Sequence, residues 1–500
     1  MRLPRASGIL LHPTSLPGPH GAGDLGPAAY HFVDWLATAG QKLWQILPLG
    51  GVGPGNSPYM SPSAFAGNVL LVDLAALADQ GWLSGAALAR PPAFDALRID
   101  FAAMVPWRMA LLAQAAQAFA SDALPAQRAA HEAFCAEHAA WLEDYALFMA
   151  LSEAHPGRDW ADWPAPLARR QPAALAEAAA QHAGRIAFWR FVQWQFFVQW
   201  RSLKAYANAK GVSIVGDAPI FIAPQSAEVW ARQDLFELGA DGRLSVVAGV
   251  PPDYFSATGQ RWGNPLYRWS AHAAEGYAWW TARIRHTFAL VDVVRIDHFR
   301  GFAAHWEIPA SEPTAIHGRW VPGPGPALFE AIAAALGPLP IIAEDLGIIT
   351  PDVDALRRGA DLPGMRVLQF AFDGKAENPY LPHHYEAATV VYTGTHDNDT
   401  TRGWWATASA AERVQAAAYM GQDPEQLTPN IHWALIRLAW ASVADTAIAP
   451  LQDVLGLATE HRMNLPGEGE GHWAWRFGWD MVRPAHAEQL ATLTRLYGRG

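Results

Sequence analysis

Short apolar runs rich in β-branched residues recur along the chain, and each stops at polar, Gly or Pro residues. In order they are GILLHP (8–13), LWQILPL (43–49), SIVGDAPI (213–220), VDVVRIDH (291–298), IIAEDLG (341–347), RVLQFAF (366–372), TVVYTGTHD (389–397) and AIAPLQDV (447–454). Runs of this kind read as strands buried on both faces. Most are separated by segments of helical period, such as AAYHFVDWLATAG (28–40) and PALFEAIAAALG (326–337). That alternation implies parallel strands with crossover helices, and eight such units predict an α/β fold, a (β/α)8 TIM barrel. An open doubly wound sheet is the alternative. The barrel is preferred because no nucleotide-binding glycine fingerprint or Walker sequence is read behind the first strand.

The gap between the second and third strands is too long for a crossover. Its alanine-rich stretches predict a mostly helical insertion over about residues 70–210, and a second, substrate-loop insertion is expected at about 224–285, after the third strand. Residues 1–500 thus read as one catalytic barrel with large insertions. The helix AFWRFVQWQFFVQWRSLKAYANAKG (187–211) bears Phe188, Phe191, Trp194, Phe197 and Trp200 at spacings of three or four. The stripe suggests a sugar-stacking face, but the spacing is what a buried helix face needs, so packing is expected.

Composition narrows the partners. A net charge of -11 argues against nucleic acid and anionic membrane surfaces and favours a neutral or cationic ligand. The single cysteine, Cys135, excludes an intramolecular disulfide and reads as a small apolar helix residue. The N-terminal GILL is too short for a signal-peptide core or a membrane span, and no longer run follows. A soluble, cytoplasmic protein is expected.

The strand ends are acidic: Asp217, Asp297, Glu344 with Asp345, and His396 with Asp397. In a barrel, chemistry sits at the carboxyl ends of the strands. Residues two apart on a strand share a side, so Arg295 and Asp297 should project together, the guanidinium keeping Asp297 an anion. His298 should turn the other way unless the chain has already left the strand. Neighbouring strands lie about 4.8 Å apart, which could set Asp297 and Glu344 at the roughly 5 Å separation of retaining glycosidases. One carboxylate would attack the anomeric carbon while Glu344, its pKa raised by nearby aspartates, donates a proton. Asp397 could bond sugar hydroxyls. Two other readings stand beside this one. Asp217, Asp297, Glu344, His396 and Asp397 include donors for a Mg²⁺ or Zn²⁺ site, although Arg295 is a poor neighbour for a cation, and the same residues could form structural ion pairs.

The motifs ILLHPTSLPGPHGAGDLG, GNSPYMSPSAFAGN, GDAPIFI, GVPPDYFSATGQRWGNPLY, VVRIDHFRGF, IIAEDLG, YTGTHDNDTT and RMNLPG together resemble the 4-α-glucanotransferases called amylomaltases or disproportionating enzymes. These form glycoside hydrolase family 77, a branch of the α-amylase superfamily. The resemblance spans nearly the whole chain and is weakest in the alanine-rich insertion. It implies a (β/α)8 barrel that needs no cofactor or metal, with Asp297 as nucleophile, Glu344 as general acid/base and Asp397 as transition-state stabiliser. It also implies sugar contacts from Ser57, Tyr59, Asp217, Gln260, Trp262, Arg295, Asp373, His396 and Asn464. Asp345 competes with Glu344 as the acid, but its side chain should point away. In PGEGEGHWAWR (466–476), His472 stands where the family pattern expects asparagine.

The implied substrates are α-1,4-glucans and maltooligosaccharides. An α-amylase-type hydrolase would share the glycosyl-enzyme intermediate and differ only in what attacks it. Tyr254, Phe255 and Trp262 on one Gly/Pro-rich loop, and Trp473 and Trp475 on another, are expected to bind an acceptor sugar and shield the intermediate from water. Transfer to the 4-hydroxyl of glucose or a maltooligosaccharide is therefore expected over hydrolysis. The sequence leaves the oligomeric state open.

Overall fold

The computed structural model describes residues 3–252 and 256–500. Each of the eight apolar runs overlaps a strand, the sixth by two residues only: β1 (Ala6–Leu10), β2 (Leu43–Gln45), β3 (Ser213–Pro219), β4 (Val293–Asp297), β5 (Ile341–Ala343), β6 (Gly364–Val367), β7 (Thr389–Tyr392) and β8 (Thr446–Pro450). All are parallel, and the hydrogen-bonded order is β6-β7-β8-β1-β2-β3-β4-β5. The outer strands of that order, β5 and β6, meet across the remaining seam. There the Ala343 amide donates to Pro363 O at 2.9 Å, and Asp345 Oδ1 accepts from the Met365 amide at 2.6 Å. Arg357 and Arg366 pair with the same carboxylate. Asp345 therefore points away from the barrel interior and closes the seam, and Gly364 is small enough to let it approach. The expected (β/α)8 barrel is the fold.

One reading of the glycines needs correction. GAGDLG (21–26) does have the G-x-G-x-x-G spacing. Its glycines serve close packing: a Cβ on Gly23 would sit 2.0 Å from Pro13 O, and one on Gly26 2.9 Å from the Asp73 carboxylate. The topology is decided by closure of the sheet.

Between β2 and β3 the chain forms a block of helices, the longest being Phe101–Asp122, Ala139–Ala154 and Ala183–Ala209. On the last of these Phe188, Phe191, Trp194, Phe197 and Trp200 are all buried, so the stripe is packing. Trp82 and Phe119 lie edge-on or tilted against Phe191 and Trp194. Cys135 is half-buried on the helix Pro125–Glu137. Among the described residues no helix is long and apolar enough to cross a membrane.

A second, antiparallel sheet was not anticipated. Its strands, in order, are Gln260–Arg261, Val246–Val250, Ala304–Pro309 and Arg319–Pro322. It draws on the segments that follow β3 and β4, and so stands beside the carboxyl ends of those strands.

Candidate active site

Register explains why the acidic residues gather. In the β3–β4 ladder Asp217 is opposite Arg295 and Pro219 opposite Asp297, while Ile296 pairs with Ala343 in the β4–β5 ladder. Arg295 and Asp297, two apart, share a side. Arg295 is almost fully buried; one terminal nitrogen donates to both oxygens of Asp217 (2.8 and 2.7 Å) and the other to Asp297 Oδ1 (2.9 Å). A single planar guanidinium thus orients two carboxylates.

Glu344 follows β5 directly, and its backbone amide donates to Ile296 O at 3.0 Å, which sets it next to Asp297 across the ladder. Its Oε2 accepts from the His298 amide (2.7 Å) and its Oε1 from the Leu346 amide (2.9 Å). His298 has φ +52°, a left-handed conformation, so the chain has left the strand at that residue. That turn aims its N–H at Glu344, while its ring meets Trp262 edge-on at 4.7 Å. Burial, and after it the charges of Arg300 and His305, depress the His298 imidazole to about 3, so it stays neutral.

Burial, reinforced by the charge of Asp297, pushes Glu344 up to about 7. A carboxyl group so placed keeps its proton near neutrality, as a general acid must. Arg295 favours the charged form of Asp297, as expected, but it does not act alone. Burial shifts Asp297 upward, and Arg295, the largest opposing influence, does not fully offset that. Its ionised form depends on Arg295 all the more for that reason.

The third acid comes from the turn after β7. Asp397 Oδ1 accepts from Asn464 Nδ2 at 2.6 Å, its Oδ2 lies 3.3 Å from His396 Nε2, and its carbonyl accepts from Arg462. Arg462 also donates to Asn464 O at 2.6 Å, so the segment 462–464 clasps Asp397 from outside. Asn398 Oδ1 accepts from the Thr395 amide and hydroxyl and locks the turn. Tyr59 OH donates to Asp217 Oδ2 at 2.7 Å and lies 2.9 Å from His396 Nε2, with the two rings stacked at 5.3 Å. Burial, then the charge of Asp217, raises the Tyr59 phenol well above its usual range, so it remains a donor. One continuous network therefore runs from Asp397 through His396, Tyr59, Asp217 and Arg295 to Asp297.

The other expected contacts lie further out. Gln260 and Trp262 bond each other (3.1 Å), and among the described residues the Trp262 ring meets the His298 ring, beside the network. Ser57 caps the short turn Pro58–Met60, its hydroxyl accepting from the Tyr59 amide. Asp373 is exposed on the loop after β6, bonded to the Lys375 amide and paired with the Lys375 ammonium, apart from the network. Trp473 and Trp475 depart from the acceptor-binding expectation. Both are buried, Trp473 against Tyr59 and His396, Trp475 stacked on Phe477 and bonded to His461. They anchor their loop, and His472 on it pairs with Glu468. Tyr254 and Phe255 lie outside the described residues.

Arg462 and His12 were passed over in the sequence. His12 follows β1, is buried and depressed to about 3 by burial, and its Nδ1 has no partner among the described residues. With His396, Asp399 and Arg462 it lines a small pocket beside the network. Its place directly after a barrel strand was the available signal. Among the described residues no three His, Cys, Asp or Glu side chains group as metal ligands; Arg295 occupies the space between Asp217 and Asp297.

A parallel barrel with part-buried carboxyl groups gathered at its strand ends, one of them raised to hold its proton near neutrality, has the layout of a glycoside-processing barrel enzyme. The profile of the family described as 4-alpha-glucanotransferase matches residues 11–480. The chain is 52% identical over 500 residues to a 4-alpha-glucanotransferase of Thermus thermophilus, covering 99% of each, and 47% identical over 498 residues to one of Synechocystis sp., covering 99% of this chain and 98% of that one. The amylomaltase from Streptococcus agalactiae in complex with acarbose superposes with a TM-score of 0.96 at 38% identity, over 99% of this chain and 100% of that one. The chain belongs to the 4-alpha-glucanotransferase family. Transfer between α-1,4-glucans is the activity this membership supports, and the hydrolytic alternative is not favoured.

Proposed function

We propose that the chain moves a maltooligosaccharyl unit from one α-1,4-glucan to the 4-hydroxyl of glucose or a maltooligosaccharide by retaining double displacement. Asp297 attacks the anomeric carbon as the bond to the departing O4 breaks, and Glu344 gives its proton to that oxygen. The acceptor hydroxyl then returns a proton to Glu344 while its oxygen displaces Asp297. Asp397 bonds the sugar hydroxyls and favours the oxocarbenium-like transition state. The observation that supports these roles best is the shared peptide between the two acids: the residue after Asp297 donates its N–H to Glu344.

Arg295, Asp217, Tyr59, His396 and Asn464 hold the three carboxyl groups and meet the sugar beside them. Gln260, Trp262 and Ser57 contact the glucan further along the cleft, and Asp373 contacts it at the rim. Residues 1–500 act as a single catalytic barrel, with about 70–210 and 224–285 as insertions, in the cytoplasm and without cofactor.

Maltotriose tests the reading. Transfer yields glucose and a ladder of longer chains at a nearly constant number of reducing ends. A steady climb in reducing ends instead means hydrolysis and removes the transferase reading.

A further inference from the structure

Arg300 has no part in the network around Asp297, yet its two contacts are unusual for a half-exposed arginine. It sits in the short helical turn Phe299–Phe302, three residues past Asp297. One terminal nitrogen donates to Ile348 O at 2.6 Å, and the guanidinium carbon lies over the Trp320 ring, 4.0 Å from its centre. Trp320 belongs to the antiparallel sheet, where it pairs with Trp306 and is braced by it at 5.2 Å. Arg300 therefore stands between the outer sheet and the loop after β5.

That loop holds the acid. Leu346, whose amide donates to Glu344 Oε1, lies two residues before the carbonyl that Arg300 grips. Gly347 between them has φ +80° and Ile348 is 63% exposed, while Leu346 and Ile349 on either side pack against the core and Tyr380 bonds the Gly347 backbone, so at Ile348 itself the loop is held by Arg300. The other oxygen of Glu344 is held by the His298 amide, at the start of the turn that bears Arg300. One short turn thus controls both hydrogen bonds to the acid, one directly and the other through Arg300.

We infer that Arg300, clamped by Trp320, is a positioning residue for Glu344: it pins the loop whose Leu346 amide fixes the carboxyl group of the acid. The inference rests on Glu344 being the general acid. The charges that face Glu344 are Asp297 and Arg295, with the neutral Tyr380 phenol nearby, and Arg300 faces the charge of Asp352 and the neutral His298 ring. An amide N–H donated to the carboxylate favours its ionised form. A slack loop therefore raises the pKa of Glu344 and misplaces its proton.

The test compares Arg300→Lys, which keeps the charge but lacks the planar guanidinium, with Trp320→Leu, which leaves the charge untouched. For each, kcat and KM on maltotriose, the pH profile of kcat/KM and thermal unfolding are measured. Both variants should lose kcat, Arg300→Lys by roughly tenfold to a hundredfold and Trp320→Leu by less, because small displacements of a reacting group cost that much. KM should change little, the alkaline limb should move to higher pH, and the unfolding temperature should hold. A wild-type kcat and profile in both variants overturns the inference, as does a loss of kcat that follows a loss of folded protein. Glu344→Gln separates the two levels. If it retains turnover, the assignment of the acid fails and the inference with it; if it is inactive while the loop variants behave as wild type, the inference alone fails.

Discussion

The backbone N–H of His298 donates to Glu344 Oε2 at 2.7 Å, so the peptide that follows Asp297 also fixes the neighbouring acid. Two carboxyl groups tied through one peptide titrate together, and any measured pKa values belong to the pair. Turnover needs Glu344 protonated and Asp297 ionised. Glu344 is pushed up to about 7, so kcat/KM should fall as pH rises through that value. Asp297 is also displaced upward, so the acid limb should lie above the ordinary aspartate range. A bell-shaped profile of kcat/KM checks both limbs. A rate that stays flat to pH 9 contradicts the assignment of Glu344.

Arg295→Lys should be far from conservative. A lysine ammonium cannot reach Asp217 and Asp297 in the geometry of a fork, and one buried carboxylate is left without its partner. Breaking a buried pair in this way costs about 3–5 kcal/mol. The variant should unfold at lower temperature and turn over at least roughly a hundredfold more slowly. Calorimetry beside a glucose-release assay measures both, and near-normal values in both would mean that the guanidinium bridge is dispensable.

Several parts of this arrangement were legible in the chain. The apolar runs ending in GDAP, VRID, IIAED and GTHD mark strands whose ends differ in chemistry from their interiors, which is the sequence imprint of a barrel with a site at one face. The two-residue spacing of Arg295 and Asp297 predicts their common direction. What spacing cannot encode is register: that Asp217 faces Arg295 follows only from the β3–β4 ladder. Nor does the alternation of a single strand disclose the left-handed turn at His298, a conformation uncommon for a residue with a Cβ and imposed here by the surrounding contacts. The antiparallel sheet stayed hidden because its strands are short and far apart in sequence. Trp473 and Trp475 misled because aromatic residues on a glycine-rich loop look alike whether they stack on a ligand or anchor the loop.

Asn464 reaches Asp397 from a different loop, with 2.6 Å between Nδ2 and Oδ1. A hydrogen bond to a charged group contributes about 1.5–3 kcal/mol. Asn464→Ala should therefore lower kcat/KM by roughly tenfold to a hundredfold while the barrel stays folded, since both residues lie on loops outside its strands and helices. Asn464→Asp should be worse, because it sets a second carboxylate against Asp397. Initial rates on maltotriose rank the two variants; an Asp variant as active as wild type would show that the contact does not operate during turnover.

The raised pKa of Glu344 also has a consequence for stability. Its ordinary value is 4.5 and its value in the folded chain is about 7, so between these limits the folded state binds more protons than the unfolded one. Stability then falls as pH rises across that window, and above it the ionised, buried carboxylate remains a standing cost. A displacement of this size is worth roughly 3 kcal/mol at most, and less once water at the cleft mouth is considered. Glu344→Gln imitates the protonated form at every pH. It should match wild type in urea denaturation at pH 4.5 and exceed it at pH 8, while losing turnover at both. Equal stability differences at the two pH values would show that Glu344 titrates no differently in the folded chain than in the unfolded one.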